Sequence, residues 1–514
     1  MGVSPKHYFF HKKAACPGSI SKAVIARMLL SRKLRCLRPV PFYLKKGLKP
    51  VYHRKIEDTD FIMNKKCKFT ALMLITCFLF LLPSSAQETS QTKQFELENG
   101  LKVFLYKRDR LPLINLAFAV NLGSKDETDE TSGLVHILEH YILFRGTEFQ
   151  SGTEIIQDIR QHGAYFNAHT GHDLAVFELS IPSEYADFAL KNQKEILFNL
   201  KITQEELDNE KEVILEELNQ LQDDPVRYAT SLVYQNLFQN HAYQRPIYGK
   251  NEIIEAATAE QLEKFYSKYF VPPNCSLAIV GDFDIEEMEE KIKNTFGGLK
   301  SEGFTPTKFE KVPKLEKSIE LEREMDVNVA YLVIGMIGPD YNHSDQYAID
   351  ILTEIIGRGI NPMLLPQLRG RRDLVHRVSM SYSTHKYGGA ILIYLTLDKK
   401  NISSARRETI NFLKNARHAN YSEKDFRGEY QIDVPDYLES ARNQIKFQIQ
   451  KSQEESLNVA RSLARFMLLN DNPERGSFLE NIEKVSSSDL RQAAGEYLGT
   501  GRYVIVSVYP KKEK

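Results

Sequence analysis

Leu174-Ala-Val-Phe-Glu-Leu-Ser-Ile181 and Ala390-Ile-Leu-Ile-Tyr-Leu-Thr-Leu397 are one apolar run met twice, 216 residues apart. Each reads as a strand, and each follows another strand-like stretch, Gly163–Asn167 before the first and Val378–Ser383 before the second. Outward from these pairs the two halves continue in the same order. Before the first run comes a hairpin turning at Asn99-Gly100 and a strand near Ile114–Leu122. After it, the box Thr203-x-x-Glu206 opens a long helix through Gln220; a helix near Ala259–Tyr269 and a strand Ser276–Val280 follow. The second half offers strands near Ile319–Arg323 and Val329–Ile337, a helix near Gln346–Ile356, helices at Ala405–Leu413, Glu439–Leu468 and Ser488–Tyr497, and a closing strand Tyr503–Val508. Ile279-Val280 aligns with Ile505-Val506 at an offset of 226. The pattern predicts an α+β fold of two homologous domains, 90–299 and 318–514, each a mainly antiparallel sheet covered by helices on one face. The charged, Pro-containing stretch 300–317 reads as the linker.

Composition agrees with this scale. The chain has 514 residues, 42% hydrophobic and 26% charged, enough for two or three packed domains, with 27 Gly and 20 Pro spread without period. Disorder and collagen-like order are excluded. The 68 basic and 68 acidic residues cancel unevenly: residues 1–62 carry 14 Lys/Arg against 3 Asp/Glu, residues 63–86 add three Lys and no acid, and 87–514 are left at −14. So acidic a body makes nucleic acid an unsuitable partner.

Met63-Asn-Lys-Lys-Cys-Lys, the apolar run Phe69–Leu82 and Pro83-Ser84-Ser85-Ala86 form a charged, a greasy and a small-residue segment in turn, the order of a signal peptide cleaved after Ala86. The run is 14 residues, short of the about 20 that span a bilayer. The expectation is export to the periplasm or medium with no stable membrane span after cleavage, 63–86 being the signal and 1–62 an over-extended reading frame before a true start at Met63. The rival is an organellar presequence in 1–62. Cys16, Cys36, Cys67 and Cys77 then leave the mature chain, and Cys275, alone in a strand, reads as a packed residue.

A helical stretch of the first domain contains His136-Ile-Leu-Glu139-His140. Four residues apart on a helix, the two imidazoles share a face and reach one ion, which zinc suits, and Glu139 lies beside it as a base. Leu134, Val135, Ile137, Leu138 and Ile142 cover the rest of that helix, and burying two histidines and a carboxylate without a partner is costly. A catalytic zinc takes a third protein ligand. The helix opened by Thr203 offers Glu210 and Glu217, seven apart on one face, with Glu212 and Glu216 directed elsewhere; periodicity does not choose between the first two. His169 and His172 are rival ligands, discounted because a strand sends them apart.

Leu134-Val-His136-Ile-Leu-Glu139-His140-Tyr-Ile-Leu-Phe144-Arg-Gly146-Thr147 resembles the signature of the insulinase and pitrilysin-like metallopeptidases, in the half-length bacterial form related to the mitochondrial processing peptidase. The resemblance covers roughly 90–510, strongly in the first domain. It implies one zinc per chain on His136, His140 and Glu217, with Glu139 as catalytic base and Glu210 as a supporting acid. Gly163-Ala-Tyr-Phe-Asn167-Ala168-His-Thr170 is similar to the family's substrate-holding edge strand, which assigns Asn167 and Ala168 to substrate. His241-Ala-Tyr243 and Tyr248-Gly249 continue the match. Asp350-Ile-Leu-Thr-Glu354 stands 214 residues after the zinc motif with its ligands gone, so the second domain reads as inactive. There the family supplies an Arg and, seven residues on, a Tyr over the zinc; this chain has Arg369 and, at the Tyr position, His376, with Arg371 and Arg372 read as solvated or involved in partner contacts.

The expected function is an exported zinc endopeptidase acting on unfolded or short peptides. The expected assembly is a homodimer, or a heterodimer with a related subunit carrying the Arg/Tyr pair. The net charge of the mature body favours basic peptides. The alternatives are a non-catalytic peptide-binding or structural subunit and an organellar presequence-processing peptidase.

Overall fold

The structure, a computed structural model, describes residues 92–511 except 302, 361, 371, 423–435 and 471–476. The segments read as extension and signal, and Arg371, lie outside the described residues. Two sheets organise the rest.

In the first, β1 (Thr92–Glu96) and β2 (Lys102–Lys107) form the expected hairpin. Gly100 takes a φ of +89° in the turn, and Asn99 donates to the Phe296 carbonyl at 2.8 Å. β3 (Leu113–Val120), β4 (Tyr165–Thr170), β5 (Ala175–Pro182) and β6 (Cys275–Gly281) complete the order β1-β2-β6-β3-β5-β4. All pairings are antiparallel except β2 with β6. The second sheet holds β7 (Ile319–Met325), β8 (Ala330–Gly338), β9 (Arg377–Thr384), β10 (Gly389–Leu397) and β11 (Val504–Pro510) in the order β7-β11-β8-β10-β9. It repeats the first sheet without β1, down to one parallel pair, β7 with β11. The fold is α+β with two homologous domains.

One face of each sheet packs on its own domain's helices. In the first domain, Val135, Leu138 and Ile142 of α1 (Leu134–Phe144), with α2 (Ala186–Phe198) and α3 (Gln204–Asp223), close over Val103, Leu116, Phe118 and Phe177. In the second, α5 (Gln346–Thr353) and α6 (Tyr437–Ser452) do the same over Leu332, Ile334 and Ile393. The other faces are covered by exchange. The first domain's α4 (Pro225–Leu237) lays Ala229, Val233 and Leu237 on Val333, Leu392 and Val506 of the second sheet. Gly335 permits the approach, since a Cβ there would fall 2.3 Å from Val233 Cγ1. Conversely α7 (Ser456–Leu469) lays Ala460, Ala464 and Met467 on Ala117, Val176 and Ala278 of the first sheet, and Ser276 donates to the Ala464 carbonyl at 2.8 Å. Fully burying each large apolar side chain contributes roughly 1.5–3 kcal/mol. The helix expected over Glu439–Leu468 is thus two helices that break between Ser452 and Ser456, because the second half must leave its own domain to reach the other sheet.

Polar groups tie the exchange down. Glu178 on β5 is fully buried and pairs with Arg461 of α7, one guanidinium nitrogen standing 2.7 Å from Oε2. Burial alone would raise the Glu178 carboxyl; Arg461 and His169 hold it below its ordinary range. Elsewhere Tyr243 donates to Asp173 Oδ1 at 2.6 Å and accepts from the Tyr387 backbone at 3.1 Å, joining the first domain to the β9–β10 turn. His172 sits in this seam, stacked on Tyr234 and hydrogen-bonded through Nδ1 with Ser124 Oγ at 2.8 Å.

Arg461→Met leaves the buried Glu178 charge without its partner and is expected to cost about 3 kcal/mol in denaturant unfolding, a loss partly restored by Glu178→Gln in the same chain. Burial, reinforced by the nearby charges, holds His172 well below its ordinary 6.5. The unfolded chain then binds this proton first, so stability falls as pH drops below 6.5, by about 1.4 kcal/mol per unit. His172→Phe keeps the stacking, cannot titrate, and should flatten the acid side of the unfolding midpoint against pH by that amount.

Candidate metal centre

Gly133 caps α1 with a φ of +106°, and Gly249, with a φ of +82°, meets it so closely that a Cβ on Gly249 would stand 2.4 Å from Gly133 Cα. The contact sets Tyr248 edge-on against His136, ring centroids 4.9 Å apart. From this fixed start α1 places His136 and His140 one turn apart with rings 4.6 Å from each other. α3 crosses alongside. The His140 Nδ1 and Glu210 Oε1 atoms lie 2.9 Å apart, and Arg145 Nε donates to Glu210 Oε2 at 2.7 Å. Two turns on, Glu217 Oε2 is 3.3 Å from His140 Nε2 and 3.8 Å from His136 Nε2.

His136, His140 and Glu217 thus offer two imidazole nitrogens and one carboxylate oxygen, all within 4.8 Å of one another. Among the described residues they are the one such group of three. Ligands 2.0–2.1 Å from a tetrahedral zinc stand about 3.4 Å apart, so the donor set fits that ion in kind and in spacing. His136 is buried while Glu217 keeps 40% of its side-chain exposure, which leaves one side open.

The electrostatics divide the two rings. Burial and the neighbouring His140 push His136 down from its ordinary value. Burial would lower His140 as well, but its bonds to Glu210 and Glu217 prevail and raise it to about 9. Glu210 is buried, which opposes ionisation, yet His140 and Arg145 hold it below the usual carboxylate range. The bond to His140 lowers Glu217 too. Burial pushes Glu139 up, opposed by Thr170 at the end of β4 and by the His140 and His169 imidazoles.

The other site residues expected from sequence separate into two groups. β4, with Asn167 and the buried Ala168, is an outer strand of its sheet, paired with β5. His169 turns to Glu178, Nε2 3.7 Å away, and His172 to Ser124; neither joins the donor group. Glu212 and Glu216 are exposed. Arg369 lies in the short segment Pro366–Gly370 and His376 just before β9, its Nε2 3.1 Å from Asp398 Oδ1. The structure does not bring them to the cavity beside the centre. Arg377 and Tyr382 of β9 line that cavity instead, because successive residues entering a strand face opposite ways and His376 is one register out. The helix α4 and the role of Tyr248 were missed from sequence. Asp224-Pro225 is the signal for α4: Asp224 accepts from the Val226 and Arg227 N–H groups and Pro225 occupies the first turn.

Residues 103–251 match the family model of the insulinases, peptidase family M16, and residues 256–429 match that of the peptidase M16 inactive domain. The second match begins before β6, which still belongs to the first sheet. An uncharacterized zinc protease of Rickettsia bellii is 24% identical over 404 residues, 78% of this chain and 93% of that one. A protease from Helicobacter pylori shares the fold with a TM-score of 0.74 at 22% identity, over 82% of this chain and 100% of that chain. The periplasmic protease PqqL from Escherichia coli aligns with 81% of this chain and 47% of its own at a TM-score of 0.65 and 19% identity. With both domain types matched in order on the fold that carries them, the chain belongs to the insulinase family of peptidases, family M16, in its half-length form.

Proposed function

We propose that the chain is a zinc-dependent endopeptidase that cleaves extended segments of unfolded or short peptides. The observation that carries this reading is the meeting of His136, His140 and Glu217 with Glu139 beside them and the outer strand β4 next to Glu139. Held by His136, His140 and Glu217, a zinc ion would supply Lewis acidity for hydrolysis. Glu139 is placed to take a proton from an attacking water and to return one to the departing amine, and its raised pKa suits both directions of transfer. Glu210 fixes the tautomer and orientation of His140 through Nδ1, leaving Nε2 free to ligate. Substrate adds as a strand along Asn167 and Ala168, which admits only chain that is already extended.

The proposal extends to the whole protein. It takes 90–299 as the catalytic domain, 300–317 as the linker and 318–514 as the inactive, substrate-contacting domain. It also takes the product as exported after cleavage of 63–86. The Escherichia coli relative PqqL is a periplasmic protease, which supports this. PqqL holds about twice the matched length, which supports pairing of this chain with a second half-length subunit.

Glu139→Gln is expected to keep zinc and lose cleavage of an extended fluorogenic peptide by about 10²- to 10⁴-fold, measured as kcat/KM beside metal content. Unchanged cleavage would remove Glu139 from its role. Glu217→Ala should lose zinc on dialysis while the fold, read by circular dichroism, persists; full retention of the metal would exclude Glu217 as a ligand.

A further inference from the structure

Beside the centre lies a cavity of about 1760 Å³ between the two domains, reached from Glu217 through Leu218 and from His136 through Tyr248. Its charged lining differs from the protein as a whole. Arg227 of α4, Arg245 of the loop before Gly249, Arg377 of β9 and Arg465 of α7 come from four separate elements to one space. Among the described residues no carboxylate pairs with Arg377 or Arg465. Arg227 has a loose partner in exposed Asp224, 3.8 Å away. Arg245 spends one nitrogen on the Lys125 carbonyl at 3.3 Å, and its buried Nε has no partner among the described residues.

The acids on the same lining are engaged or few. Asp173 accepts from Tyr243 at 2.6 Å and from the Lys386 backbone at 3.0 Å. Asp129 stands 3.6 Å from Lys250. Glu252 is the remaining one. Like charges in a concave wall reinforce one another, because the low-dielectric protein focuses their field into the cavity.

We propose that this cavity selects peptides with Asp or Glu side chains within a few residues of the scissile bond, on the side of the substrate that enters it. The proposal rests on the peptidase reading and names its substrate class. It opposes the expectation from net charge: −14 over residues 87–514 describes the distant field, whereas a bound peptide meets the arginines at contact distance, inside the about 8 Å over which salt leaves charges visible.

The test uses the zinc-loaded full chain and three peptides of one sequence, with Glu, Gln or Lys placed two to four residues to either side of the cleaved bond. The Glu peptide is expected to exceed the Lys peptide by roughly tenfold in kcat/KM on one side of the bond. Arg377→Gln and Arg465→Gln, separately and together, should shrink that ratio toward one, with the Gln peptide as reference. A Lys peptide cleaved as well as the Glu peptide on both sides, or a ratio unmoved by the double substitution, overturns the proposal. If no peptide is cleaved, the peptidase reading fails, and binding of the same labelled peptides by fluorescence anisotropy decides the charge question alone. Tighter binding of the Glu peptide upholds the selection, and equal binding ends it.

Discussion

Glu210 is a carboxylate with 2% of its surface exposed, and a charge so placed is tolerated only where partners replace its water. Its partners are His140 of α1 and Arg145, the residue that caps the end of α1, while Glu210 itself belongs to α3. The pairing therefore fixes how two helices distant in sequence lie against each other. A slip of one residue along α3 would turn Glu210 by about 100° and strand its charge. A second lock reinforces the register: Tyr141 donates to Glu206 at 3.0 Å and accepts from the Thr203 backbone at 2.9 Å, at the start of the same helix. With both in place Glu217, two turns further on, has no choice but to face His136 and His140. The group of three donors is a consequence of this locked crossing, so its geometry depends on Glu210, Arg145, Tyr141 and Glu206, none of them in the donor group.

The second domain shows what the fold is for once the donors are gone. At the positions matching His136 and His140 stand Asp350 and Glu354, and burial pushes both carboxyls up, Asp350 to about 7. Two acids a turn apart, with no third donor grouped with them among the described residues, favour protons over a cation. What this domain contributes instead is α7, which seals the first sheet, and β9, which walls the cavity. Because α4 returns the service to the second sheet, neither sheet is covered on both faces within its own domain. The cavity forms where the exchanged helices leave a gap near the metal centre.

Strand pairs, the internal repeat and the His136–His140 pattern were legible because each depends on short-range periodicity. Glu210 and Glu217 share a helix face, so spacing left them equal; the resemblance assigned the roles, and the geometry separates them by depth, one buried against Arg145 and the other half-open. The exchange of helices was not legible. An apolar stripe on a helix is the same whichever sheet it covers, and Gln453-Glu454-Glu455, where α6 and α7 part, holds no Gly or Pro to mark the break. His376 against Arg377 is a difference of one register on a strand, which spacing within one sequence resolves only when the strand's start is known to the residue. The charge of the cavity was hidden for a similar reason, since Arg227, Arg245, Arg377 and Arg465 are scattered over more than two hundred residues and meet only after both domains close.

Charge accounting at the centre points to the same occupant as the donor geometry. Glu210, Glu217 and Glu139 bring three carboxylates to one partly buried space, and Arg145 answers one of them. With His136 pushed toward its neutral form, the protein balances part of the remainder by raising His140 until it holds a proton near neutral pH. That proton sits on a ring whose Nε2 faces Glu217, in the place where a cation would be ligated. A proton supplies one positive charge and ties up an imidazole; a divalent ion supplies two and needs both imidazoles free of protons at Nε2. Glu210 stands 2.9 Å from His140 Nδ1, so the ring is held on the side away from Glu217 and the exchange turns on release of the proton from Nε2.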